Sequence, residues 1–299
     1  MRIRKAGMIT HNLWYLGREE SGVYYLEGQD GAIMINGGLS YILPEVLAQM
    51  QDLGLKPARI NKFLILHSHF DHVGIVPYFK RTHPDIEVMA SAAAWRIIAM
   101  PKAVEVMNRF SQLSAEQMNA SQALSSYDLE WREDISGTVV AEGDKIDVGG
   151  VALNITATPG HSNCSISAYE PTIKALFASD AVGIPFQNAL FPSMNTNIHQ
   201  FLESLEKLSP IQVSHVCADH YGYITGDEAG AFIAQTIEEA LKWKSYLEDC
   251  YHKHGGDIEA AGKEITALFY QEMPGYFISP DILEGVFKQM LKYIAKTRQ

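Results

Sequence analysis

The sequence predicts an α/β protein laid out as a four-layer αββα sandwich, with a helical insertion and a helical C-terminal extension. Three features carry that expectation. Two stretches of short, strand-patterned runs flank helix-patterned segments. A buried apolar run ends abruptly in a cluster of histidines, and little strand patterning remains after about residue 226.

Residues 12–36 hold the runs NLWYL, GVYYLEG and AIMIN, broken by Gly, Glu and Asp-Gly, which reads as an antiparallel meander. Gly37-Gly38 ends it, Pro44 opens a helix running to Leu53, and residues 63–66 form a buried strand that delivers its end to His67. A second helix is expected over 72–80. In the insertion, about 91–130, Ala, Met, Gln and Ser dominate, and apolar residues recur at helical spacing through Val104, Met107, Leu113 and Met118. Its methionines read as packing rather than as a binding surface.

Strands return at 138–140, 151–156, 166–169 and 175–177, and a last apolar run covers 213–217. Residues 1–226 are therefore expected to form the sandwich domain and 227–299 a three-helix extension. In the final helix Ile282, Leu283, Val286, Phe287, Met290, Leu291 and Ile294 make one apolar stripe. Such a stripe covers the sandwich, closes a pocket or pairs with a second copy, so a homodimer through the C-terminal helices is one of three ways to bury it.

With 299 residues, 47% of them apolar, the chain is long enough to bury a large core. A net charge of −11 repels a phosphate backbone at long range, which argues against nucleic acid and for a small-molecule substrate. No run approaches the roughly 20 apolar residues of a membrane span, and the start lacks a secretory pattern. Three widely spaced cysteines, Cys164, Cys217 and Cys250, suit a reducing compartment, so a cytoplasmic location is expected.

The segment LILHSHFDH, residues 64–72, crowds four ligand-type side chains at a strand end. A lone His-x-His is a common surface pair among eleven histidines; four such groups in six residues after a buried strand need another cause. Imidazole and carboxylate suit Zn, Fe or Mn, and alternating His67 and His69 project the same way from extended backbone, leaving Asp71 and His72 for a neighbouring ion. A catalytic site needs further ligands from elsewhere in the chain. His161 after Thr158-Pro159-Gly160, Asp180 after the run ALFAS, and His220 after Cys217-Ala218-Asp219 each stand at a strand exit. For Asp180 the plainer alternative is a helix cap.

His67-x-His69-x-Asp71-His72, Gly160-His161-Ser162, Ser179-Asp180 and Asp219-His220 together resemble the ordered motifs of the metallo-β-lactamase superfamily, over about residues 12–225. The resemblance implies that fold, with His67, His69 and His161 on a first metal ion, Asp71, His72 and His220 on a second, and Asp180 bridging. Gly74 to Tyr78, Asn108-Arg109 and the helical tail are similar to the quinolone-signal response members of the PqsE type, which are thioesterase-like. Three positions depart from the family pattern. Asn36 stands before Gly-Gly where many members carry Asp, Cys164 or its neighbours stand where many have Gly, and Asp219-His220-Tyr221-Gly222 replaces the more usual Pro-Gly-His-Gly.

The expected cofactors are two divalent ions, Zn before Fe or Mn, which lower the pKa of bound water to about 7. Asp71 is the expected catalytic residue, orienting the attacking oxygen or passing its proton to the leaving group. Hydrolysis of a thioester or ester with an apolar acyl part is the leading expectation. A phosphodiesterase and a non-catalytic ligand-binding regulator are the alternatives.

Overall fold

The computed structural model describes residues 1–297, so Arg298 and Gln299 of the expected C-terminal extension lie outside the described residues. In chain order the strands are β1 (Arg2–Ile3), β2 (Gly7–Thr10), β3 (Leu13–Gly17), β4 (Gly22–Glu27), β5 (Ala32–Ile35), β6 (Ile60–Leu64), β7 (Glu87–Ala90) and β8 (Thr138–Val139). They continue as β9 (Lys145–Asp147), β10 (Ala152–Ala157), β11 (Ile166–Glu170), β12 (Ala175–Phe177), β13 (Ile184–Phe186), β14 (Ala189–Phe191), β15 (His215–Cys217) and β16 (Tyr223–Thr225). The helices are α1 (Leu43–Asp52), α2 (Val76–Thr82), α3 (Ala92–Ile98), α4 (Pro101–Gln117), α5 (Ser121–Ser126), α6 (Ile198–Leu208), α7 (Asp227–Lys253), α8 (Ile258–Glu272) and α9 (Pro280–Thr297).

These elements form two compact units interleaved along the chain. Unit 1 holds Met1–Ala157, Cys164–Ser179 and Gln212–Gly230; unit 2 holds Thr158–Asn163, Asp180–Ile211 and the chain from Ala231.

Both large sheets belong to unit 1. One runs β2-β3-β4-β5-β6-β7-β8 and the other β1-β16-β15-β12-β11-β10-β9. The first begins as the antiparallel meander and turns parallel from β5 onward; the second is antiparallel except where β12 pairs with β15. Parallel pairing matters for the site, because it sends the ends of β5 and β6 out of one edge and those of β12 and β15 out of another. Leu13, Tyr24, Ile33 and Leu64 of one sheet pack with Leu153, Ile166, Phe177 and Tyr223 of the other in a single buried cluster. Within it Tyr24 meets Phe177 edge to face at 5.4 Å, a geometry worth about 0.5–1.5 kcal/mol beyond burial alone.

Pro44 lies in the first turn of α1, whose buried face is Leu43, Val46 and Met50. The second helix starts at Val76 rather than at 72, because the backbone of 72–75 bonds elsewhere. Gly37 donates to the His72 carbonyl, and Gly74 and Ile75 donate to Gly38 and Gly37. A side chain at Gly74 would place its Cβ 2.2 Å from the Ser40 nitrogen, so this crossing requires glycine. The insertion is helical as expected, with Ser91 capping α3 by accepting from Ala94 N–H. Asn108 clamps it by bonding both the N–H and the carbonyl of Trp131. Beside Phe70, Met107 and Trp131 the packing leaves a cavity of about 10 Å³, room for one water.

Unit 2 joins the β13–β14 hairpin to α6, α7, α8 and α9 around an aromatic core. Trp243 stacks on Phe287 at 5.9 Å, and Phe191 and Phe269 meet both rings. The apolar stripe of α9 is buried within the chain at Leu283, Phe287, Met290, Leu291 and Ile294. Among the described residues no helix is long and apolar enough to cross a membrane.

Candidate metal centre

Five of the seven expected ligands lie in unit 1, where the strand ends bring them together. β6 delivers His67 and His69, a short helical turn from Phe70 to His72 presents Asp71 and His72, and His220 follows β15. Asp71, His72 and His220 place one ligand atom each within 4.8 Å of one another. His67 and His69 bring Nε2 and Nδ1 to 3.2 Å, and the rings of His67 and His72 lie 4.0 Å apart.

The outward partners of the histidines fix where their protons sit. His220 donates Nδ1–H to the Glu20 carbonyl at 2.7 Å, which leaves Nε2 as an acceptor. His72 donates Nδ1–H to Asp219 Oδ2 at 2.9 Å, which leaves its Nε2 an acceptor too. Those two Nε2 atoms face each other at 3.2 Å, with Asp71 Oδ2 3.6 Å from the first and 3.5 Å from the second. Converging lone pairs in a buried setting repel unless a cation lies among them. The donor set, two imidazoles and a carboxylate with outward hydrogen bonds already satisfied, fits a divalent ion.

Asp219 organises this half of the site. It accepts from the Asn36 amide, from the Ser179 hydroxyl and from His72. Ser179 Oγ accepts in turn from His67 Nδ1 at 3.1 Å, turning His67 Nε2 toward His69. The other oxygen of Asp219, Oδ1, is buried and has no hydrogen-bond partner among the described residues. Asn36, Ser179 and Tyr221 all adopt left-handed backbone, with φ of 59°, 50° and 61°. For residues other than glycine such conformations cost on the order of 1–3 kcal/mol each and concentrate at functional sites.

Tyr24 donates to the Ala218 carbonyl directly before Asp219. Burial pushes its phenol well above the ordinary value, with Cys217, Tyr15 and Asp219 adding to the shift, so it stays a donor. Tyr15 is likewise raised by burial first and by Asp219 next, and donates to the Arg18 carbonyl at 2.7 Å. Cys164 is a buried thiol 3.3 Å from Ser68 Oγ.

The remaining two expected ligands, His161 and Asp180, lie in unit 2 and meet there. His161 donates Nδ1–H to the Ser193 carbonyl at 2.9 Å, so its Nε2 is an acceptor, and that atom faces Asp180 Oδ2 at 3.4 Å. Gly160 sets the backbone ahead of it with φ of 134°; a Cβ there would stand 2.3 Å from the Phe201 backbone. The same facing of acceptor on acceptor therefore recurs in unit 2.

Asn36, Ser179 and Asp219 were not expected as functional residues. The one visible signal was the pair of departures from the family pattern: a carboxylate missing at 36 and an extra one at 219, now found bonded to each other.

A sandwich of two mixed sheets with histidines and aspartates gathered at the strand exits is the architecture of a metal-binding α/β protein. Residues 16–220, more than half of the chain, match the Metallo-beta-lactamase superfamily, and the chain belongs to that family. It is similar to the acyl-coenzyme A thioesterase MBLAC2 of Bos taurus, 26% identical over 179 residues, which are 56% of this chain and 61% of that protein. The Homo sapiens protein of the same name is 25% identical over the same shares. The chain thus spans under two thirds of the length of these curated relatives. Among solved structures, a metallo-beta-lactamase family protein of Thermus thermophilus superposes with a TM-score of 0.69 at 17% identity, covering 97% of this chain and 95% of that one. The rubredoxin oxygen:oxidoreductase of Desulfovibrio gigas gives 0.60 at 15% identity, covering 84% and 70%. These structural likenesses show the fold, and the expected αββα class stands.

Proposed function

We propose that the chain hydrolyses an ester-like bond, a thioester or ester with a small apolar acyl part, at a site for two divalent ions. His67, His69 and His161 would hold the first ion, Asp71, His72 and His220 the second, and Asp180 would bridge them. The observation that carries this reading is the pair of Nε2 acceptors of His72 and His220 facing each other at 3.2 Å beside Asp71. The matching acceptor pair of His161 and Asp180 supports it from unit 2. Zn suits the donors best, with Fe or Mn as the other candidates. Bound there, the ions supply Lewis acidity and activate water near neutral pH.

The chain's own residues do the rest. Glu20, Asp219 and Ser193 hold the protons of His220, His72 and His161 on their outer nitrogens, so the inner nitrogens stay aimed inward. Asp71, buried with Oδ2 at the centre of its cluster, is the proton carrier from the attacking water to the leaving group. Unit 2 carries an open groove of about 610 Å³ from Asn163, two residues past His161, to Lys292 and Lys296, of a size for a small substrate. The names of the curated relatives support a thioester as the first substrate to try.

The test is a panel of acyl-thioesters, lactones and phosphodiesters, run with elemental analysis of protein purified without added metal. Turnover of acyl-thioesters with His-bound metal is expected. Activity on phosphodiesters alone would overturn the substrate reading, and tight capture of a metabolite without turnover would overturn hydrolysis itself.

A further inference from the structure

Unit 2 contains a second group of ligand-type side chains, far along the chain from the histidine motifs. Cys250 lies in the last turn of α7, His254 follows one helical turn later, and Glu264 stands on α8. One ligand atom from each lies within 4.8 Å of the others. His254 Nε2 is 2.8 Å from Glu264 Oε2, while the Cys250 thiol makes a long contact of 3.8 Å to the Ala261 carbonyl. The connection between the helices is short and tied down. Gly256 N–H bonds the Tyr251 carbonyl, and Asp257 caps α8 by accepting from Glu259 and Ala260.

We propose that Cys250, His254 and Glu264 form a separate binding site for a borderline transition-metal ion such as Zn(II) or Co(II), clipping α7 to α8 and independent of the hydrolytic centre. One sulfur, one imidazole nitrogen and one carboxylate oxygen make a donor set that selects Zn-like ions over Mg or Ca. The i, i+4 spacing puts the thiol and the imidazole on one face of the helix, and the carboxylate meets them from the facing helix. Lys253 now occupies the cation position, with its Nζ 2.8 Å from both Glu264 oxygens. Its side chain is 64% exposed, so it can swing into solvent when an ion arrives.

The distinguishing property is sulfur, since the hydrolytic constellation holds only nitrogen and oxygen donors. Full-length protein stripped by chelator is titrated with Co(II) alone and followed in the near ultraviolet for thiolate-to-cobalt charge transfer. One equivalent of such absorption per chain is expected, lost in Cys250→Ser, weakened in His254→Gln and Glu264→Gln, and kept in Cys164→Ser. Lys253→Ala should tighten cobalt binding at this band by about two- to fivefold, the scale of an exposed ion pair. Absence of the band, or its loss in Cys164→Ser instead, would overturn the proposal and leave the group as a Lys253–Glu264–His254 ion-pair cluster.

Discussion

At the sheet ends, His72 and His220 are buried with their protons pinned outward, and Asp71 points its carboxylate at the same spot. At the α7–α8 connection, Glu264 is half-exposed and Lys253 supplies a cation from the chain itself. The difference lies in how each cluster balances its charge. Where the chain contributes its own ammonium group, an ion is optional and competes with Lys253. Where outward hydrogen bonds turn acceptors on one another, a bound ion would be integral to the site, since without one the buried lone pairs face each other.

The largest expected effect comes from breaking the first cluster at its centre. Asp71→Ala should lower hydrolysis by roughly 10²- to 10⁴-fold, together with metal content, in steady-state kinetics paired with elemental analysis. Full activity with normal metal loading would remove Asp71 from the chemistry. Next in size is a change that touches neither cluster. Phe287→Ala, at the buried stack with Trp243, should cost about 3–5 kcal/mol in denaturant unfolding, and metal stoichiometry should persist wherever the protein remains folded.

A smaller effect sharpens the role of Asp219. Asp219→Asn should weaken metal binding by about 10- to 100-fold, since it removes the carboxylate that orients His72. The exchange Asn36→Asp with Asp219→Asn should recover much of that loss, because it moves the carboxylate to the position many family members use. No recovery would mean that the hydrogen bond between 36 and 219 does not carry the charge placement.

The smallest effect concerns a histidine outside both clusters. His215 is half-buried, and burial lowers its pKa below the ordinary 6.5. The folded state therefore binds fewer protons than the unfolded chain as pH falls through 6.5, so stability is present above that value and declines below it. His215→Asn should flatten that decline by at most about 1.4 kcal/mol per pH unit, measured as denaturant midpoints across pH 5–7.

Much of this was legible in the sequence, for identifiable reasons. The short apolar and aromatic runs NLWYL, GVYYLEG and AIMIN, separated by turn residues, mark β3, β4 and β5, and Pro44 marks α1. The stripe from Leu283 to Ile294 marks α9. Strands such as β9, β13 and β14 are three residues long and hold too few side chains to show a period. The start of α2 at Val76 is not encoded locally, because Gly37 and Gly38, far away in sequence, claim the backbone of 72–75. At the site, ligand-type residues announce themselves by crowding, whereas Asn36, Ser179 and Asp219 act through hydrogen bonds between segments far apart in the chain, which no local pattern encodes.

The most direct test is the metal content of Cys250→Ser protein purified without added metal, which isolates the histidine and aspartate constellation from the sulfur site. Two ions per chain are expected, falling when His72 or His220 is replaced by Ala. Folded protein carrying less than one ion per chain would contradict the central claim that facing acceptors at the sheet ends exist to hold cations.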